Sequence, residues 1–288
     1  METDLTVSRS VLIVGCGQLG NRLPDYLDES QWQLSGIRRR PSEVASGIKA
    51  IAADYTNANS LQSVLAEQRP DYIVLSLTPA SRDAAGYERG YLRGVKNVLA
   101  SLQHRPRRIV FVSSTSVYAQ NNDEWVNEES PALATSYSGS TMLACERLLS
   151  ESDNLHTSLR CGGIYGGGSK RMIEQIQRGE FSASQHYTNR IHADDCSAVI
   201  AHLLEMDRRD QTLADVYLGV DCAPCKKSEL ESWLAGRLGV SYMTPSSTES
   251  HSSRNPGSKR CSNTRLLDTG FEFQYPDFTQ GYSALLNS

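Results

Sequence analysis

The chain has 288 residues, 39% hydrophobic and 22% charged, with a formal net charge of −4. That length suits one large domain or a domain with a smaller companion, and the composition is that of a globular protein. The slightly acidic total excludes a global basic field for nucleic acid or anionic membrane, and no apolar run approaches the roughly 20 residues that span a bilayer. The opening METDLTVSRS carries two acidic residues and lacks an apolar core, so it does not read as a secretory leader; a cytoplasmic protein is expected.

Residues 11–14, VLIV, form a short β-branched run ending in glycine, the pattern of a buried parallel strand. GCGQLG follows, and NRLPDYLDES predicts a helix despite Pro24. WQLSGI (32–37), IKAIAAD (48–54) and DYIVLSL (71–77) predict the next three strands, with LQSVLAEQRP helical before the last. YLRGVKNVLASLQH predicts a long helix over 91–104, RRIVFVSS (107–114) a fifth strand, and 136–151 a second long helix. HTSLRCGGIYG holds a sixth strand, CSAVIAHLLEM a helix and ADVYLGV a seventh strand. KSELESWLAGRLG reads as a helix closed by Gly239, and the Ser-rich 245–260 as a mobile loop. Strands alternating with helices imply a parallel sheet with right-handed crossovers and helices on both faces.

Gly15-Cys16-Gly17-Gln18-Leu19-Gly20 fits G-x-G-x-x-G between a strand and a helix. In that setting the first glycine permits the tight turn, the second admits a pyrophosphate, and the third lets helix pack on strand. Gly15, Gly17, Gln18, Leu19 and Gly20 are therefore the expected contacts to a dinucleotide. At the end of the second strand stand Arg38, Arg39 and Arg40, where an NAD site usually has an acidic residue. A guanidinium fork matches a 2′-phosphate, so NADP is expected over NAD, with Arg38 as first candidate and Arg39 next. Asp54 closes the third strand near the expected adenine edge. Leu77 and Thr78 close the fourth and should border the nicotinamide half.

The seven cysteines are odd in number and scattered, which argues against a disulfide framework. Cys222 and Cys225 form a CxxC without a second ligand pair, so two reduced thiols in a turn are expected, with no metal site.

Several stretches together resemble the extended branch of the short-chain dehydrogenases/reductases, the NAD(P)-dependent epimerase/dehydratase type. FVSSTSVYA (111–119) looks like its strand-five signature, and LRCGGIYGGG (159–168) is similar to its L-R-x-x-x-x-Y-G-P-G segment. NRIHADDCSAVI (189–200) matches its Arg-x-x-His-x-x-Asp pattern, and LLDTGFEFQYPDF (266–278) its closing motif. The resemblance spans almost the whole chain. It implies an α/β Rossmann-like doubly wound parallel sheet over residues 1–165, with 194–220 returning to it. A smaller C-terminal substrate lobe would come from 166–190 and 221–288.

The same resemblance assigns Ser114 and Tyr137 as the catalytic pair, with Ser116 a weaker candidate. The tyrosine would act as acid or base at a carbonyl or hydroxyl, and the serine would hold the same oxygen. A free phenol titrates at about pH 10, so such a tyrosine normally relies on a neighbouring lysine. Here the lysine position is Thr141, and no other Tyr in the chain has Lys four residues on. The sequence thus resembles atypical members that keep the fold and relax the catalytic set. Lys170 and Arg171 are possible substitute cations but read better as phosphate contacts or exposed side chains. Arg190 and His192 read as structural, with a buried contact at Asp194 or Asp195. The resemblance implies a small-molecule substrate, with a nucleotide-sugar among the candidates. A homodimer through 91–104 and 136–151 is possible, and neither nucleic acid nor membrane is expected as a partner. Two functions stay open: an oxidoreductase or epimerase/dehydratase-like enzyme, and a non-catalytic NADP-binding redox sensor.

Overall fold

The computed structural model describes residues 8–168, 170–243 and 257–287. In chain order the first half holds β1 (Arg9–Val14), β2 (Trp32–Arg38), β3 (Ile48–Ala52), α1 (Ala58–Gln68) and β4 (Tyr72–Leu75). It continues with α2 (Ala84–Tyr87), α3 (Arg93–Ser101), β5 (Arg108–Ser114), β6 (Glu124–Val126) and α4 (Tyr137–Ser150). The second half holds β7 (His156–Cys161), β8 (Gly163–Tyr165), α5 (Arg171–Gln177), β9 (Tyr187–Thr188), β10 (Arg190–His192) and α6 (Ala193–Arg208). Then come β11 (Val216–Gly219), β12 (Cys225–Lys226), α7 (Lys227–Leu238), β13 (Lys259–Cys261), α8 (Thr264–Leu267) and α9 (Phe278–Asn287).

Seven strands form one sheet in the order β11-β7-β5-β4-β1-β2-β3, and every pairing in it is parallel. Alternation along each strand builds two cores from the same residues. Val11 and Ile13 of β1 and Val110 of β5 face one side, against Val199, Ile200 and Leu203 of α6. Leu12, Val14, Ile109 and Phe111 face the other, against Leu61 and Leu65 of α1, Val95 and Val98 of α3, and Leu149 of α4. This is the doubly wound arrangement, with both faces covered and the central strands β1, β4 and β5 largely apolar. A third cluster lies off the sheet, where Ile173 and Ile176 of α5, Leu230 and Leu234 of α7, and Tyr282 of α9 pack around Tyr165.

The strand order reverses direction between β1 and β4, and the crevice beyond their carboxyl ends is where an open parallel sheet of this kind receives its ligand. All seven sheet strands fall within the segments expected for them, apart from one- or two-residue differences at their ends. The helix after the glycine turn does not form as expected. Gly20–Asp25 is a six-residue 3-10 helix with Pro24 inside it. Proline has no N–H to give and its ring blocks continuation, so the segment ends in turns at Tyr26–Asp28. The helix expected at 91–104 begins earlier, as α2 running into a π turn over Glu88–Leu92 before α3. Most of the Ser-rich stretch, 245–256, lies outside the described residues, but its end is ordered: Lys259–Cys261 pairs with β6.

Candidate functional site

The crevice is lined first by the glycine turn. Gly15 has φ +78°, and a Cβ there would lie 2.6 Å from the Ser76 carbonyl oxygen. Only glycine fits both the left-handed backbone and that approach to the exit of β4. Cys16 turns inward and is fully buried, and burial pushes its thiol up to about 11. Its sulfur fills the hollow left by Gly36, where a Cβ would come within 2.7 Å. Gly20 seats the following turn on β1, a Cβ there being 2.8 Å from Ile13 Cγ2. Gly17 differs from both. A Cβ there would meet nothing nearer than the Gly15 carbonyl at 3.7 Å, so its backbone faces open space. Because the 3-10 segment is short, any anion here meets the turn's own N–H groups more than a long helix dipole.

Beside the turn, Arg38 is already engaged. It forms an ion pair with Glu43 and donates from Nη1 to the Cys16 carbonyl at 3.1 Å. Arg40 reaches the other Glu43 oxygen at 3.0 Å. Arg39 is exposed and has no partner among the described residues. Glu43 carries no motif of its own; an acidic residue five positions after Arg38 in a short turn is the available signal. Asp54 is half-buried, and its Oδ1 accepts from the Thr56 amide and hydroxyl at 2.9 and 2.7 Å. Leu77 is buried and Thr78 exposed. Thr78 is held by the Tyr55 hydroxyl, which donates to its carbonyl at 3.2 Å and accepts from its amide at 3.3 Å. Nothing in the sequence around Tyr55 marks it for this role.

Ser114 ends β5, and its Oγ accepts from the Ser116 amide at 3.1 Å. α4 is seated on the turn that follows: a Cβ on Gly139 would collide with the Ser116 carbonyl. Ser136 caps that helix, accepting from the Gly139 amide at 3.1 Å. The first turn of α4 therefore brings Tyr137 alongside the turn that begins at Ser114. The Tyr137 hydroxyl donates to the Arg82 carbonyl at 2.8 Å, and its ring meets Tyr87 edge-on at 5.3 Å. Thr141 sits one turn on, and its hydroxyl donates back to the Tyr137 carbonyl at 2.8 Å. Among the described residues no cationic side chain bonds the Tyr137 hydroxyl. Lys170 and Arg171 are exposed at the start of α5.

A glycine loop of the second half rests on the glycine turn of the first. Gln18 Nε2 donates to the Gly166 carbonyl at 2.7 Å, and a Cβ on Gly167 would collide with that nitrogen. Arg22 pairs with Asp194 at 2.7 Å and donates to the Gln18 carbonyl at 2.6 Å. His192 caps α6, its Nδ1 accepting from the Asp194 amide at 3.3 Å. Its Nε2 is buried without a hydrogen-bond partner among the described residues, and the ring packs against Tyr165 and Tyr275. Burial holds this imidazole below its ordinary pKa, with Asp194 opposing. Asp195 accepts from the Gln274 and Tyr275 amides at 2.7 and 3.0 Å. The Arg190–Asp195 stretch thus ties the chain's tail to the sheet. Cys225 is buried and accepts from Arg190 Nη1 at 3.3 Å, whereas Cys222 is exposed.

Two hollows lie away from this crevice. One of about 610 Å³ is lined by Gln185, Ser228, Trp233 and Tyr242, and one of about 410 Å³ by Tyr26, Asp28 and Trp32. Neither touches the glycine turn or Tyr137, so chemistry and not volume locates the candidate site.

The NAD dependent epimerase/dehydratase family model matches residues 11–219. Protein YeeZ of Escherichia coli (strain K12) is 28% identical over 290 residues, covering 93% of this chain and 97% of that one. A structure from Methylobacillus flagellatus, named for the NAD-dependent epimerase/dehydratase class, is 36% identical with a TM-score of 0.82, covering 97% of this chain and 98% of that one. The UDP-glucose 4-epimerase of Thermus thermophilus, solved with NAD, shares the fold with a TM-score of 0.78 at 17% identity, covering 94% and 96% of the two chains.

Proposed function

Because the chain belongs to the NAD dependent epimerase/dehydratase family, we propose that it binds a nicotinamide dinucleotide across Gly15–Gly20 and uses it to oxidise or reduce a small or nucleotide-sugar substrate. The observation that carries this reading is the open backbone at Gly17 between two glycines that packing requires. A cradle with one unfilled face at a topological switch point fits a diphosphate. NADP is the favoured form. Three guanidiniums and one carboxylate meet at the turn after β2, leaving net positive charge, and Arg39 is free to meet a 2′-phosphate while Arg38 is held by Glu43.

The bound nicotinamide would supply the hydride acceptor or donor. The rest falls to the chain's own groups. Tyr137 would exchange its contact with the Arg82 carbonyl for the substrate oxygen and move the proton there. Ser114, whose Oγ already accepts from the Ser116 amide, would donate its hydroxyl hydrogen to the same oxygen. With Thr141 in the lysine position, turnover should be slow. Loss of such a cation at about 4 kcal/mol corresponds to about a thousandfold in rate.

Thr141→Lys is the direct test, since positions 137 and 141 share a helix face. NADPH oxidation against a panel of carbonyl and nucleotide-sugar substrates should rise at least tenfold in Thr141→Lys and fall below detection in Tyr137→Phe. The tie of Tyr137 to Arg82 favours a second reading, a non-catalytic dinucleotide sensor. Cofactor binding with no turnover in either wild type or Thr141→Lys would establish that one instead.

A further inference from the structure

The helix that follows β4 is seated on that strand's exit by three glycines. A Cβ on Gly86 would collide with Ser81, and one on Gly90 with the Thr78 carbonyl. One on Gly94 would lie 3.0 Å from both Leu77 Cδ1 and Tyr55 Cδ2. Four-residue spacing drifts by about 40° per step around an α-helix. The wider π turn over Glu88–Leu92 takes up that drift between α2 and α3. Such turns are rare and cluster at functional sites.

Tyr87 and Tyr91 each follow one of these glycines and line up toward α4. Tyr87 meets the Tyr137 ring edge-on at 5.3 Å, and Tyr91 lies 5.3 Å from Tyr87, which makes a row of three phenols. Tyr91 packs against the core cluster that includes Cys145 of α4. Cys145 lies four residues beyond Thr141, on the helix face that carries Tyr137 and Thr141. Cys145 and Cys161 both stand near enough to Tyr91 to oppose its ionisation, and Cys161 is the partner of Ser114 in the β5–β7 pairing. Tyr91 therefore stands between the exit of β4, where the nicotinamide half is expected, and the strand ends that carry Ser114.

Packing alone does not account for its hydroxyl. The residue is half-buried, and that hydroxyl has no hydrogen-bond partner among the described residues, whereas those of Tyr55 and Tyr137 are both engaged. A phenylalanine ring would fill the same space, and a phenol withdrawn from water calls for a partner. Burial pushes the Tyr91 phenol up, and the neighbouring tyrosines and thiols push the same way, so it stays neutral and able to donate. Thr141 turns its own hydroxyl back to the Tyr137 carbonyl and offers the crevice no donor.

We propose that the Tyr91 hydroxyl donates a hydrogen bond to the nicotinamide ribose of the bound dinucleotide, so that a neutral phenol on the π turn positions the end of the cofactor that Thr141 does not reach. The assignment deepens the reading above and rests on it. Tyr91 supplies position without charge, which fits a site that holds its cofactor and turns over slowly.

Calorimetry on full-length protein tests this by comparing NADP with adenosine 2′-phosphate 5′-diphosphate, the fragment that lacks the nicotinamide riboside. Tyr91→Phe removes one hydroxyl and keeps the ring. It should weaken NADP by about three- to tenfold, the effect of one neutral hydrogen bond, and leave the affinity of the fragment unchanged. The ratio of the two affinities is decisive, because damage to the fold would lower both together. Wild-type NADP affinity in Tyr91→Phe, or an equal loss for NADP and the fragment, would overturn the proposal. Failure of either ligand to bind the wild type defeats the cofactor reading and this assignment with it, whereas normal binding of both with an indifferent Tyr91 defeats this assignment alone.

Discussion

Gly15 and Asp221 show how single positions govern this molecule. Gly15 combines a left-handed backbone with a carbonyl 2.6 Å from where a side chain would begin. Gly15→Ala should therefore lower stability by about 1–3 kcal/mol, read from urea unfolding. Asp221 is buried, and desolvation raises its carboxyl to about 7 despite its bond from the Ala223 amide and the nearby Arg190. Its folded pKa thus exceeds its unfolded value near 4. Its stabilising contribution is complete below about pH 4 and is lost as pH rises to about 7, at up to about 1.4 kcal/mol per pH unit. Asp221→Asn should flatten that part of the melting curve against pH and make the variant more stable than wild type at pH 8. Equal pH slopes for the two proteins would refute the assignment. Much at this scale was legible. The packing demands on Gly15 and Gly20 follow from the motif, and the absence of a lysine four residues after Tyr137 is read directly from the sequence. Glu43, Tyr55 and the Arg82 carbonyl were not legible, because each acts through a contact that only the folded chain creates.

Among elements, α4 depends on a buried ion pair. Glu146 accepts from Ser113 Oγ at 2.6 Å and receives Arg160 at 2.7 Å, while Arg160 also donates to the Tyr118 hydroxyl at 2.8 Å. Both charged residues are nearly inaccessible, at 9% and 7% exposed. Removing one partner leaves a buried charge, so Glu146→Ala should cost about 3–5 kcal/mol in urea unfolding. The defect should reach Tyr137, because the same helix carries it. A loss under about 1 kcal/mol would mean that α4 is held elsewhere. The long strands and helices were readable from hydrophobic period alone, since burial on one or both faces writes itself into the sequence. The short pairs β8–β10, β9–β12 and β6–β13 were not. Two or three residues carry too little alternation, and their partners lie far along the chain, as Glu124 and Lys259 do. The failed helix after Gly20 has a local cause in Pro24.

Across the whole molecule, the sheet, the glycine turn and the loop at Gly166–Gly168 converge on one crevice. Gln18 to Gly166 and Arg22 to Asp194 join the first half of the chain to the second at that point. A dinucleotide in the cradle would lie beside this joint, so cofactor binding should raise the melting temperature in proportion to the logarithm of its concentration. Among the described residues no helix is long and apolar enough to cross a membrane. The central claim is that the open backbone at Gly17 receives a nicotinamide dinucleotide. Calorimetry of NADP and NAD against wild type and Gly17→Ala tests it, because among the described residues beyond its chain neighbours a methyl there meets no atom closer than 3.7 Å and should leave the fold intact. The expected result is heat of binding for NADP, weaker binding for NAD, and loss of both in a Gly17→Ala protein that melts as wild type does. Absence of heat for either nucleotide with wild type, or full affinity in Gly17→Ala, would contradict it.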